Sequence, residues 1–117
     1  SEQAADYADY AAAVAREIGG GVCERGILIC GSGAGMVITA NKFPDIRATL
    51  CLNEEMARLC RLHNDSNILV LAGRMTDAAT AGKIVAMWLR TPFEGGRHQR
   101  RIDKIRAIEA SLAESCV

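Results

Sequence analysis

Cys30 stands directly before a run of alternating glycines, Gly31-Ser32-Gly33-Ala34-Gly35, in the stretch ILICGSGAGM. A glycine-rich turn from a strand into a helix gathers free N–H groups and the positive helix end at one point, which suits an anion or a developing oxyanion. Helix N-termini favour thiolates, the form of cysteine that acts as base or nucleophile. Strand carboxyl ends are also where open α/β sheets hold ligands. The competing reading of Cys30 is a buried core cysteine, common in aliphatic sheets. That reading is taken for Cys23, Cys51, Cys60 and Cys116, which have no such loop beside them. A dinucleotide fingerprint would place its third glycine where Met36 stands, and no Walker lysine-serine pair follows, so the loop alone says only anion or oxyanion.

Two further clusters carry chemistry. His63-Asn64-Asp65 lies at the expected end of a helix, where a histidine is ordinarily a capping cation. Arg97 and Arg101 are four apart and share a helix face near its start. Two guanidiniums there suit a phosphate, although a solvated charged face is the usual fate of an RHQRR run.

The elements that position these groups follow from periodicity. Residues 4–18 are alanine-rich, with Tyr7, Tyr10, Val14 and Ile18 at helical spacing, and stop at Gly19-Gly20-Gly21. Residues 26–30 read as a short strand covered on both faces. The glycine loop follows, then a helix over 36–42 and a second strand over 46–52. Asn53 caps a helix that ends at His63-Asn64-Asp65, and 67–72 (NILVLA) is a third buried strand. Thr76-Asp77 opens a helix that Thr91-Pro92 terminates. After Glu94-Gly95-Gly96 a charged helix over 97–114 is expected to bury Ile102, Ile105, Ile108 and Leu112. Alternating strands and helices predict a doubly wound, Rossmann-like α/β sheet of parallel strands with helices on both faces.

At 117 residues the chain is expected to be a single domain, and with 4% aromatic residues its core is expected to be aliphatic. Fourteen basic residues balance fourteen acidic ones, so no long-range positive field recruits nucleic acid or a membrane surface. No apolar run is long enough to span a bilayer. Five cysteines, an odd number without zinc-ligand spacing, point to reduced thiols and a cytoplasmic location.

Taken together, GILICGSGAGM, ANKFPDIRA, RLHNDSNILVLAGR and FEGGRHQRRI resemble the type B ribose-5-phosphate isomerases and their sugar-phosphate isomerase relatives, over essentially the whole chain and in order. ADYADYA looks like that family's Asp-Tyr-Pro-x-Tyr-Ala segment, with Ala8 in place of the proline. The resemblance implies that Cys30 is the proton acceptor, with Ser32 tuning it, and that Gly31, Ser32, Gly33, Ala34 and Gly35 hold an enediolate. It implies His63 as the proton donor that also helps to open the furanose ring. Asn64, Arg74, Arg97, Arg101 and Tyr7 would contact substrate, the arginines chiefly its phosphate. One branch of the family uses a glutamate just after the glycine loop instead of the cysteine; here that place is Met36, so the chain goes with the cysteine branch. Neither a metal nor a redox cofactor is implied.

Such a site has a geometric consequence. Cys30 lies at the carboxyl end of its strand, whereas His63 and Asn64 precede the strand at 67–72 and so lie at the amino edge, roughly 15–20 Å away. A homodimer (or a tetramer built from it) that shares its sites between subunits is therefore expected. The family has five strands, beginning with a strand, an Asp-His-containing loop, a helix and another strand; the present chain shows three, and the natural protein is expected to be longer. The leading expectation is interconversion of ribose 5-phosphate and ribulose 5-phosphate through a cis-enediolate in pentose-phosphate metabolism. Alternatives are a 6-phosphohexose isomerase (allose or galactose 6-phosphate), a nucleotide-binding module using GSGAG, and a non-catalytic subunit that completes a neighbour's site.

Overall fold

The computed structural model describes residues 6–21 and 23–115. Ser1, the expected helix start at Ala4 and Cys116 lie outside the described residues. The element order is α1 (Tyr7–Gly19), β1 (Gly26–Cys30), α2 (Ala34–Ala40), β2 (Ala48–Leu50), α3 (Glu54–Asn64), β3 (Ile68–Ala72), α4 (Ala78–Arg90) and α5 (Arg97–Ser115).

The last strand in sequence is the middle one in space. β3, with the sequence ILVLA, is buried at every residue, and the sheet order is β1-β3-β2 with both neighbours parallel to it. Gly26 pairs with Ile68 and Cys30 with Ala72, while Ala48 pairs with Ile68. Alternation along β3 then divides the core. Ile68 and Val70 join Ala11, Ala15, Met36 and Ala40 of α1 and α2 on one face. Leu69 and Leu71 join Ala57 and Cys60 of α3 and Ile84 and Trp88 of α4 on the other. Full burial of each large aliphatic group contributes about 1.5–3 kcal/mol, and small alanines let the helices approach closely. The expected architecture, a parallel α/β sheet with helices on both faces, is the one observed.

Several expectations are corrected. β1 is covered on one face only: Leu28 is buried, but Ile27 and Ile29 are exposed, because α3 and α4 pack on Leu69 and Leu71 of β3 rather than on the β1 edge. β2 is three residues long instead of seven, since the Arg47 N–H is taken by the Asn67 side chain at 2.7 Å. Helix α2 starts at Ala34, two residues early, with Gly33 as its cap. Of the predicted stripe on α5, Ile102 is 3% exposed, but Ile105, Ile108 and Leu112 are 48%, 59% and 60% exposed. α5 rests against α3, and further along the helix Arg106 and Glu109 bond to Asp45 in the turn before β2. The core is not purely aliphatic either: Trp88, the single tryptophan, is fully buried and donates its ring N–H to Ser66 Oγ at 3.2 Å. Cys23 is exposed rather than a core cysteine, whereas Cys51 and Cys60 are buried with their sulfurs 3.7 Å apart. No helix among the described residues is long and apolar enough to cross a membrane.

Candidate active site

Two poles of the sheet hold the residues singled out above. At the carboxyl pole, β1 ends on Cys30, half-buried, and the Gly33 N–H donates to its Sγ at 3.1 Å. That contact requires the chain to reverse within three residues. Gly33 does so at φ 80°, and a Cβ there would lie 2.6 Å from Leu50 Cδ1, so conformation and space both select glycine. Ser32 is exposed, and its hydroxyl accepts the Ala34 N–H at 3.4 Å; it is engaged with the loop backbone rather than with the sulfur.

The turn after β3 is laced to this loop. Gly73 N–H donates to Cys30 O at 2.6 Å and Arg74 N–H to Gly31 O at 3.0 Å. The Arg74 side chain then lies over Gly31, where a Cβ would come within 3.1 Å of its Nε. Tyr7, the first residue of α1, rests its ring against Gly35. Cys30, Gly31, Ser32, Gly33, Ala34, Gly35, Arg74 and Tyr7 are thus brought together: a thiol, backbone N–H groups, a guanidinium and a phenol.

The amino pole is built on the last turn of α3. Asp65 leaves the helix in the left-handed region, φ 48°, and two arginines clamp the exit. Buried Arg61 donates to Thr91 O at 3.0 Å, Ser66 O at 2.6 Å and Asp65 Oδ1 at 2.9 Å. Arg47 Nε donates to Asp65 O at 3.0 Å. A buried cation satisfied in this way fixes geometry more than it adds stability. His63 and Asn64 sit on this clamped turn, Asn64 exposed and His63 half-buried. The Glu94 N–H bonds Leu62 O at 3.0 Å, which brings the segment before α5 alongside. Gly95 and Gly96, at φ 75° and 56°, then turn the chain into α5.

That turn seats His98 face to face with His63, ring centroids 4.3 Å apart and planes 18° from parallel. His98 is 3% exposed, and its Nε2 has no hydrogen-bond partner, the nearest carboxylate being Glu94 Oε1 at 4.0 Å. Burial, first, and then the neighbouring His63 hold His98 below the ordinary histidine range; Arg97 and Arg101 act the same way and Glu94 opposes them. Arg97 and Arg101 are exposed beside it. The amino pole therefore offers imidazoles, an amide and paired guanidiniums to an anion.

The register sets the poles apart. From the Gly26–Ile68 pair to the Cys30–Ala72 pair the sheet advances four residues, about 13 Å, and His63 lies five residues before Ile68. Arg74 falls on the Cys30 pole and Arg97 and Arg101 on the His63 pole, so one subunit divides the expected phosphate ligands. Two hollows of about 230 and 430 Å³ flank α5, lined among others by Pro44, Glu109 and Ala113. Neither is lined by Cys30 or His63, and the site is placed by side-chain chemistry instead. Sequence reasoning missed His98 and Glu94. The available signal was the spacing of His98 and Ile102, one helical turn apart and both buried.

Residues 1–105 match the model of the Ribose/Galactose Isomerase family. The chain is 47% identical over 109 residues to ribose-5-phosphate isomerase B of Escherichia coli K12, covering 93% of this chain and 73% of that protein. It is similar in structure to ribose-5-phosphate isomerase B of Clostridium thermocellum, with a TM-score of 0.92, 47% identity, and coverage of 94% of this chain and 74% of the other. It is also similar to the Mycoplasma genitalium enzyme with bound ribulose 5-phosphate, at a TM-score of 0.87 and 43% identity, covering 91% and 70%.

Proposed function

The chain belongs to the ribose/galactose isomerase family, and from that premise we propose that it interconverts ribose 5-phosphate and ribulose 5-phosphate with Cys30 as the base. The observation that carries this reading is the half-buried Cys30 sulfur facing the Gly33 N–H at 3.1 Å, in a chain whose relatives are ribose-5-phosphate isomerases. In the aldose direction, Cys30 Sγ takes the proton from carbon 2. The electron pair of the broken C–H bond forms the C1–C2 double bond, and the carbonyl pair moves onto the oxygen of carbon 1. The resulting enediolate oxygen is taken up by N–H groups of the Gly31–Gly35 loop, and a loop held in place by the fold stabilises that charge with little rearrangement. Transfer of the carbon-2 hydroxyl proton to the oxygen of carbon 1, and return of the abstracted proton to carbon 1 as the double bond shifts to C2=O, give the ketose.

Ring opening needs a second proton carrier, and His63 fills that role, with Asn64 beside it. Arg97 and Arg101 hold the phosphate of the same sugar, and Arg74 and Tyr7 border it from the Cys30 pole. Because the poles of one subunit are a strand length apart, the site combines Cys30 of one subunit with His63 of its partner in a homodimer. The free thiols of Cys51 and Cys60 support a reducing, cytoplasmic setting.

The test is turnover of ribose 5-phosphate by the parent, Cys30→Ser and His63→Ala, alone and refolded together. Each variant alone should lose about a hundredfold or more in kcat. Half the molecules of the mixture are heterodimers with one intact site of two, so the mixture should regain about a quarter of parent activity. Variants within about threefold of parent refute the residue roles; a mixture as inactive as its components refutes the shared site.

A further inference from the structure

We propose that His63, His98 and Glu94 form a site for a first-row transition cation, Zn²⁺ foremost, whose occupancy blocks the isomerase. The block rests on the functional reading above; the binding does not. The ligand-type atoms of the three residues lie within 4.8 Å of one another. The decisive member is His98, 3% exposed with a ring nitrogen that no hydrogen-bond donor or acceptor reaches. A buried polar atom without a partner is rare, and such atoms call for an explanation; a cation supplies the partner that the protein withholds.

The set matches the chemistry of the borderline metals. Two imidazoles and one carboxylate are ligands for Zn²⁺, Co²⁺ or Ni²⁺, whereas Mg²⁺ and Ca²⁺ require oxygen shells. Three protein ligands would leave a fourth position open, as in sites where zinc meets water or substrate. The stack does not yet converge on one point: near-parallel rings direct their lone pairs side by side, and tetrahedral ligands at about 2.0–2.1 Å from zinc must approach to about 3.3 Å of each other. His98 is held by burial, while half-buried His63 and exposed Glu94 can turn toward it. Their backbones are already joined through the Glu94 N–H to Leu62 O bond. Arg97 and Arg101 oppose a second cation, but both are exposed, so solvent and salt weaken that opposition. A His63 nitrogen bound to zinc cannot carry a proton, and the cation then stands where the sugar's oxygens would approach. Zinc and sugar phosphate should exclude each other.

The experiment uses Co²⁺ as a visible probe and Zn²⁺ as inhibitor on the full chain, stripped beforehand with a chelator. The parent should show tetrahedral Co²⁺ absorption at one ion per chain, displaced by Zn²⁺ and unaffected by Mg²⁺. Zn²⁺ should inhibit ribose 5-phosphate turnover competitively. Glu94→Gln should keep basal turnover and require about tenfold more Zn²⁺ for half inhibition, and His98→Phe, which retains a stacking ring, should lose the Co²⁺ signal. Cys30→Ser should keep it. A sulfur-to-cobalt charge-transfer band, loss of binding in Cys30→Ser, equal Zn²⁺ sensitivity in Glu94→Gln, or no Co²⁺ signal up to about 1 mM each overturns the site. Binding without inhibition in an active enzyme overturns the block. A chain that binds Co²⁺ as described yet never isomerises ribose 5-phosphate supports the site and refutes the functional reading instead.

Discussion

Replacing Gly33 by alanine should damage stability and catalysis together, by amounts that follow from its surroundings. At φ 80° an L-residue costs about 1–2 kcal/mol. Its Cβ would sit 2.6 Å from Leu50 Cδ1 and 3.2 Å from Val70 Cγ1. Leu50 Cδ1 is the end of a flexible side chain, so relief of this contact adds about 1–2 kcal/mol, near the low end for overpacking. The total, about 2–4 kcal/mol, is a large share of the 5–15 kcal/mol typical of a domain, and lowers Tm by roughly 8–15 °C for this chain length. Trp88, single and fully buried, makes fluorescence-monitored melting a direct assay. The same shift moves the Gly33 N–H away from Cys30 Sγ, so kcat should fall about tenfold or more even well below Tm. Gly82→Ala is the matched control: it lies inside α4 with nothing within 4 Å of an added Cβ. It should stabilise by about 0.5–1 kcal/mol and leave turnover unchanged. A Gly33→Ala variant that melts within about 2 °C of the parent and turns over normally would refute the loop geometry.

Two other perturbations probe the framework around the site. Ser66 is fully buried, accepting from Trp88 Nε1 and donating to Ile68 O at 3.1 Å. Ser66→Ala should cost about 1–3 kcal/mol, because it strands a buried indole N–H; urea midpoints read by Trp88 fluorescence check this, and an unchanged midpoint contradicts it. Asp77 caps α4, accepting the Thr80 N–H at 2.8 Å, and that hydrogen bonding holds its carboxyl below the ordinary 3.8. With the folded value depressed, its contribution is complete above 3.8 and is lost as pH falls through the lower folded value. Asn caps equally well without titrating, so Asp77→Asn should melt like the parent near neutrality and lose less stability on acidification. Parallel Tm-against-pH curves down to acid would exclude the cap's role.

What was legible in the sequence was mostly what depends on neighbours along the chain. Cys30 and its glycines are contiguous, so thiol and amides had to end at one place. The caps at Asn53 and Asp77 appear where side-chain type and apolar period coincide, and each accepts the expected backbone N–H. The β3 run ILVLA was readable as a buried strand because no polar residue interrupts it, but its central place in the sheet was not. The failures share a different origin, which is what lies across the gap from each element. Ile27 and Ile29 look identical to Leu28 in sequence, yet only Leu28 has a helix above it. On α5 the apolar period continues after the supporting helix α3 has ended, so Ile105 and Ile108 keep the pattern without burial. His98 is hidden among arginines, and only the return of α5 onto the end of α3 makes it a buried partner for His63. Trp88 shows the same dependence, being a single tryptophan that the sheet's second face encloses.

The strand order has a consequence for unfolding. Every ladder in the described sheet includes β3, so β1 and β2 have no partner in each other. Among the described strands they share one sheet only through Ile68–Ala72, which pairs with both. Withdrawal of β3 should therefore open both ladders together, and amide exchange across the β1–β3 and β2–β3 pairs should follow a single opening event.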